Sequence, residues 1–290
     1  MDEVQAIVFG LVTASYLTVA TLGFALVWRV EGFLNIAHAE LIAIGAFIAY
    51  ALSARAGWPF PLAAVAAIAG VAVAAPLIAR LAYWPIRQTT PAVLMITSVG
   101  VLFVVHGLIE TLIKPGTYNF DVGQPSTIDV EAFRINTFEL VIVLVALAAV
   151  CVTYSLLRRT KAGLLWRARA ADESLARGRG VNVAGSSILL WMFVGALAGV
   201  SGVLLGLQGP LNTDIAFSQL LLILSVAILA GRENIFFVVM AAVLLGVAMD
   251  LSTLVIPGGY RDAIAFAVVL VVLIFRPQGL SGAGAARYGQ

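Results

Sequence analysis

Residues 158–180, RRTKAGLLWRARAADESLARGRG, carry seven of the seventeen Lys and Arg residues in the chain. The runs that flank them, 138–157 and 186–208, are almost pure hydrocarbon. Each is long enough to cross a bilayer as a helix, which takes about 20 mainly apolar residues. A basic island between two such runs is a loop on one side of a membrane, and the architecture is counted outward from it. The same helix-length window finds further spans at about 4–28, 36–54, 60–82, 91–113, 217–230, 235–256 and 260–275. Span 217–230 is short for a full crossing and reads as a tilted or broken helix that draws on part of 209–217.

Composition agrees with that pattern. Of 290 residues, 62% are hydrophobic and 11% charged, against roughly 25% charged in a soluble domain. The expectation is an all-α, polytopic transmembrane helical bundle of about 8–9 spans, one membrane domain over 1–290. Positive residues near helix ends stay on the cytoplasmic side, so 158–185 is expected to be a cytoplasmic loop. Arg29, Arg80, Arg87, Arg232, Arg276 and Arg287 then also fall inside, and Arg55, Lys114, Arg134 and Arg261 outside. The N-terminus is outside and the C-terminus cytoplasmic. Segment 114–137, with its Gly, Pro, Ser and Asn content, becomes an ordered external loop. MDEVQ at the start is acidic, unlike the basic opening of a secretory signal, so the first helix is read as retained.

Several chemistries are excluded by what the chain lacks. Cys151 is alone, so no disulfide framework forms within one chain. Its apolar surroundings suit a small buried side chain. His38 and His106 are the two histidines and cannot by themselves fill a zinc or di-iron site. They also lie in separate spans, so no nucleophile, base and oxyanion set is assembled, and the chain is not expected to be an enzyme. The lysines, Lys114 and Lys161, sit in no G-x-x-x-x-G-K-[ST] setting, so the chain does not cradle a nucleotide itself.

Polar groups inside the spans are the candidates for function. In FLNIAHAELIAIGAF, residues 33–47, Asn35 reads as an N-cap and Glu40 sits near the positive end of the helix dipole. At 100° per residue His38 and Glu40 point in nearly opposite directions and do not form a pair. These three lie at the start of a helix and are read as shallow. Together with Thr97, Ser98, Ser225 and Asp250 they are the candidates for lining a translocation path. His106 and Glu110, four apart on one helix, are placed to interact. GALAGVSGVLLG sets Gly195, Gly199, Gly202 and Gly206 on one helix face, two GxxxG units in phase. Small residues let backbones approach where lipid gives no hydrophobic drive, and packing is the expected role.

Within the basic island, Leu164, Ala168, Ala171 and Leu175 recur at helical spacing as one apolar stripe, and Gly178 and Gly180 end the helix. Such a helix either lies on anionic lipid or inserts into a groove on a partner, and the residues alone leave both open.

Three segments, taken in order, resemble the LIV-type permeases, membrane subunits of ATP-binding cassette importers for branched-chain amino acids, and within them the LivH-like branch. NIAHAE at 35–40 is similar to that family's early Asn-Phe-Ala-His-Gly-Glu signature, with Ile36 and Ala39 in place of Phe and Gly. RARAADESLARGRGVNV at 167–183 resembles its coupling segment, and YRDAIAFAVVLVVLIFRPQGLSG at 260–282 its last helix and tail. AGREN at 230–234 departs from the family's glycine-rich turn by adding Arg232 and Glu233. The resemblance implies a coupling helix that docks on an ATPase, with Ala170, Ala171, Asp172, Ala176 and Gly180 at the matching positions. It implies as partners a second permease subunit, LivM-like or identical, two ABC ATPase subunits that use ATP and Mg, an extracytoplasmic substrate-binding protein and the lipid bilayer. It implies no cofactor bound by this chain, no metal held and no nucleic acid as partner. The implied location is the cytoplasmic (inner) membrane. The implied solute is a branched-chain or related apolar amino acid, with urea or a short amide as the family's other cargo. Against it stands a self-sufficient ion-coupled transporter or channel, which needs intramembrane acids in span centres or interrupted helices matched in two halves.

Overall fold

The computed structural model describes residues 2–280 except 115, 131–132, 232–233 and 277–278. Arg232, Glu233 and Arg287, used above for the topology and the AGREN turn, lie outside the described residues. The helices are α1 (Asp2–Val30), α2 (His38–Tyr50, continued as a π turn Ala51–Arg55) and α3 (Phe60–Ile78, continued through Tyr83 as a π turn and to Ile86 as a 3₁₀ turn). Then come α4 (Pro91–Ile113), α5 (Thr137–Arg159), α6 (Lys161–Ala171), α7 (Glu173–Gly178), α8 (Val183–Gln208), α9 (Ile215–Ala230), α10 (Ile235–Ser252) and α11 (Arg261–Phe275). Between α4 and α5 the chain folds as an antiparallel hairpin, β1 (Thr127–Val130) with β2 (Phe133–Asn136). An Asn136–Glu139 capping box then starts α5.

Among the described residues, seven helices are long and apolar enough to cross a membrane. The two spans expected at 36–54 and 217–230 are not among them. The 16 residues of α9 make about 24 Å, short of a hydrocarbon core of about 30 Å, and α2, 13 residues followed by a π turn of 5, carries His38 and Glu40 in its first turn. A hydropathy window sums apolar character and does not register that 31–37 and 209–214 are non-helical. Both segments nonetheless pack inside the bundle: Phe33, Asn35, Leu211 and Thr213 are buried.

Helices α1 to α4 and α8 to α11 each run long, short, long and outer. Helix α1 lies along α10, α3 lies along α8, and α1 and α8 cross each other. Glu31 meets Ser187 while Gly23 faces Val194, so α1 and α8 are antiparallel and the two sets run in opposite directions.

Glycine makes the central crossings possible. A Cβ on Gly195 would strike the Val71 carbonyl oxygen, one on Gly199 would lie 2.8 Å from Ile68 Cα, and one on Gly206 would enter the Phe120 ring. A Cβ on Gly202 would overlap the Ile42 carbonyl oxygen of α2. Two further close contacts involve glycines outside any GxxxG spacing. A Cβ on Gly10 would lie 2.6 Å from Val247 Cα where α1 meets α10, and one on Gly163 would strike the Leu156 carbonyl oxygen at the α5–α6 corner.

Candidate functional site

Helix α2 begins inside the bundle because its lead-in segment finds hydrogen-bond partners there. The Tyr83 hydroxyl donates to Asn35 Oδ1 at 2.9 Å, and the Ile36 amide donates to Ser98 Oγ at 3.0 Å. Ser98 in turn donates to the Met95 carbonyl at 2.6 Å. Irregular backbone at membrane depth persists only when protein satisfies it, and α3 and α4 do so here. Asn35 is therefore not the N-cap expected above: Ala37 holds that position, without a side-chain cap. Tyr83→Phe is expected to leave Asn35 Oδ1 unpaired at a cost of about 1 kcal/mol. It should read as a thermal midpoint lowered by a few degrees in detergent, and an unchanged midpoint would contradict the role given to this bond.

His38 Nε2 lies 3.0 Å from the Ala20 carbonyl, to which it donates. Ala20 is ten residues from the end of α1, about 15 Å along the helix. His38 and Glu40 are both completely buried, so the shallow placement read from sequence does not hold. The two do not meet each other.

Glu40 instead faces α4. Its Oε1 lies 3.2 Å from His106 Nδ1. On the other side of the ring, His106 Nε2 is 3.7 Å from Glu110 Oε1 and 3.8 Å from Asp214 Oδ1. Both exceed a hydrogen bond, so the expected His106–Glu110 neighbours converge without bonding. Ligand atoms of His106, Glu110 and Asp214 all lie within 4.8 Å of one another, close enough to share a cation. The His106 side chain is 14% exposed, Glu110 45% and Asp214 78%, while Glu40 is sealed behind them at 1%.

The depth of this cluster follows from Tyr118. Its ring packs on Tyr50 at 4.9 Å, and its hydroxyl donates to the Ile113 carbonyl at 2.6 Å. The end of α4 thus lies beside Tyr50, while α2 continues to Arg55. His106 is two turns deeper again. Partly exposed carboxylates at that depth do not face lipid; they face water or another protein chain.

The remaining candidates lie elsewhere. Thr97 donates to Val93 and Ser225 to Leu221, each back to its own helix. Asp250 Oδ2 accepts from Thr13 Oγ1 at 2.8 Å and from Arg261 Nη2 at 2.7 Å, tying α1, α10 and α11 together. Neither Asp214 nor Arg261 was singled out from sequence, since each owes its importance to a partner far away in the chain.

The segment after α5 is two helices, not one. Asp172, in an extended conformation (φ −161, ψ 108), ends α6 and caps α7 by accepting from the Leu175 amide at 2.9 Å. The Ser174 hydroxyl, more than that amide, holds the Asp172 carboxyl below the usual carboxylate range. One side of the segment is anchored: Gly163, Trp166, Arg169 and Ala176 are buried, and Trp166 Nε1 donates to the Ser186 carbonyl at 3.0 Å. Arg169 Nη2 spans Glu31 at 3.3 Å and Glu173 at 3.1 Å, so it joins the end of α1 to the α6–α7 corner. Ser187 at the start of α8 donates to the same Glu31 oxygen. The apolar stripe faces the other way, with Leu164 59% and Leu175 57% exposed and Ala171 exposed between them. Asp172 and Gly180 share that outer side, whereas Ala170 is half-buried and Ala176 is turned inward.

Residues 6–273 match the model of the family described as branched-chain amino acid transport system / permease component. The chain is 30% identical to the high-affinity branched-chain amino acid transport system permease protein BraD of Pseudomonas aeruginosa, over 96% of this chain and 95% of that relative. It is 26% identical to the corresponding LivH protein of Escherichia coli, over 94% of this chain and 93% of LivH. Similarity extends to a probable LivH of Methanocaldococcus jannaschii, at 24% identity over 94% of this chain and 90% of the relative.

Proposed function

Because the chain belongs to the family of branched-chain amino acid transport permease components, we propose that it is the membrane-spanning permease subunit of an ATP-binding cassette importer. Its solute is a branched-chain or related apolar amino acid, moved into the cytoplasm by alternating access. The work is done by two separate ATPase subunits that use ATP and Mg. A second permease chain, LivM-like or identical, and an extracytoplasmic substrate-binding protein complete the assembly in the cytoplasmic membrane. The observation that carries this reading is the cluster of Glu40, His106, Glu110 and Asp214, which opens at depth onto a face unsuited to lipid. In the assembly that face borders the translocation path, and the second permease closes it. Residues 158–185 face the cytoplasm and residues 114–137 the outside. Ala171, Asp172 and Gly180, with Leu164 and Leu175, form the outer surface of α6–α7 that an ATPase engages, while Ala170 and Ala176 seat the segment on the bundle.

A second reading has specific support. An ion-coupled transporter needs intramembrane acids and matched interrupted helices, and buried Glu40 together with the short α2 and α9 supply both features. One experiment separates the two. Vesicles carrying the chain with its partners are loaded with ATP on the cytoplasmic face and offered labelled leucine, isoleucine, valine, urea and acetamide with the cognate binding protein. ATP-dependent uptake of the amino acids is expected. Uptake driven by an ion gradient alone, with no ATPase present, would replace the importer by the ion-coupled carrier.

A further inference from the structure

We propose that His106 Nε2, Glu110 and Asp214, with Glu40 behind the imidazole, form the subsite that receives the primary ammonium group of the transported solute. The inference rests on the importer reading above and names which end of the zwitterion this site handles.

Three observations support it. First, Glu40 is completely buried, and neither of its carboxylate oxygens has a hydrogen-bond partner by geometry. Oε1 nevertheless points at His106 Nδ1 from 3.2 Å. A neutral ring with its proton at Nδ1, toward Glu40, presents a lone pair at Nε2. Second, His106 Nε2 converges with Glu110 and Asp214 at 3.7 and 3.8 Å, too far for hydrogen bonds, so two carboxylates and one imidazole nitrogen share one space without bonding one another. Among the described residues no Lys or Arg forms an ion pair with any of the three acids. The three ligand atoms here lie within 4.8 Å of one another, close enough for one bound cation to touch all three. Third, the cup has an apolar wall. Phe217 meets the His106 ring edge-on at 6.2 Å, and Phe217 and Leu221, one turn apart on α9, are 45% and 52% exposed. A cationic head beside an aliphatic side chain matches that arrangement.

The acids come from α2, α4 and the residue just before α9, so a cation bound there touches both inverted sets. Occupancy would bias how the two short helices sit against each other.

The two histidines make the test specific. The full-length chain, carrying isotopically labelled histidine, is placed in lipid nanodiscs and followed by nitrogen NMR; buried His38, bonded to Ala20, serves as the internal reference. Millimolar leucine and isoamylamine, which lacks the carboxylate, are expected to shift the His106 resonances and leave His38 in place. Isocaproate, which lacks the ammonium, is expected to shift neither. Glu110→Gln combined with Asp214→Asn should move the leucine midpoint roughly tenfold higher. A response to isocaproate equal to that to leucine, no response to leucine, or a response to zinc alone would each overturn the proposal. Wild-type uptake in the vesicle assay is independent of this readout, so failure of the importer reading and failure of the ammonium subsite are told apart.

Discussion

Gly202→Leu is expected to leave almost no stably folded protein after detergent extraction. The reason is backbone, not side chain. A Cβ at this position overlaps the Ile42 carbonyl oxygen and comes within 2.7 Å of the Ala46 amide nitrogen, so no rotamer change relieves it. Gly45 of α2 faces the same helix one turn away, where a Cβ would lie 2.8 Å from Gly199 Cα, so α2 and α8 meet backbone to backbone over more than one turn. Overpacking of this kind costs about 3 kcal/mol or more, a large part of the stability of a typical domain. Displacing α2 also carries Glu40 away from His106, so any surviving fraction is expected to be inactive. The check is the monodisperse fraction after graded heating, with Gly100→Ala as control, since a Cβ there meets nothing within 4 Å. Equal recovery of the Gly202→Leu variant and wild type would refute the packing role of this helix face.

Combining Ala171→Arg with Leu175→Asp is expected to reduce ATP-driven uptake about tenfold or more while the chain inserts and folds as wild type. Both side chains lie on the exposed side of α6–α7, away from Trp166 and Arg169, which seat the segment on the bundle. Their replacement therefore leaves the interior untouched and changes the surface offered to an ATPase. Thermal midpoint and ATPase co-purification are measured alongside uptake. Retained uptake would dismiss the docking role; a fallen midpoint would make the loss one of folding. Gly180 is a poorer probe because its φ of 85 favours glycine, so any substitution there adds backbone strain to the change of surface. Arg169 links the α6–α7 segment to the spans. Its guanidinium holds both Glu31, beyond the end of α1, and Glu173 in α7, so a tilt of α6–α7 pulls on α1 directly.

The residues differ in how legible they were before folding. The glycines of α8 were readable because GxxxG spacing is a property of one helix, and a helix face is set by sequence position alone. The apolar stripe of α6–α7 was readable for the same reason, although the break at Asp172 was not. An aspartate favours the capping position of a new helix, and the choice between continuing and restarting was made by Trp166 and Arg169 docking on other helices. Asn35 misled because its amide suits an N-cap, yet Tyr83, 48 positions away, takes its side-chain oxygen. Glu40 looked shallow because depth was measured from the edge of a hydropathy window. That window could not register a non-helical lead-in held by Ser98, 62 positions on.

The chain by itself determined that it forms apolar helices of membrane length, where most of them lie, and which faces are smooth enough to touch. Hydropathy and periodicity are local sums that do not depend on a partner. Only the tertiary structure decided that two helices start inside the bundle and that Glu40 and Asp214 approach His106 from opposite sides. Those outcomes require distant segments to satisfy one another's polar groups where water and lipid do not.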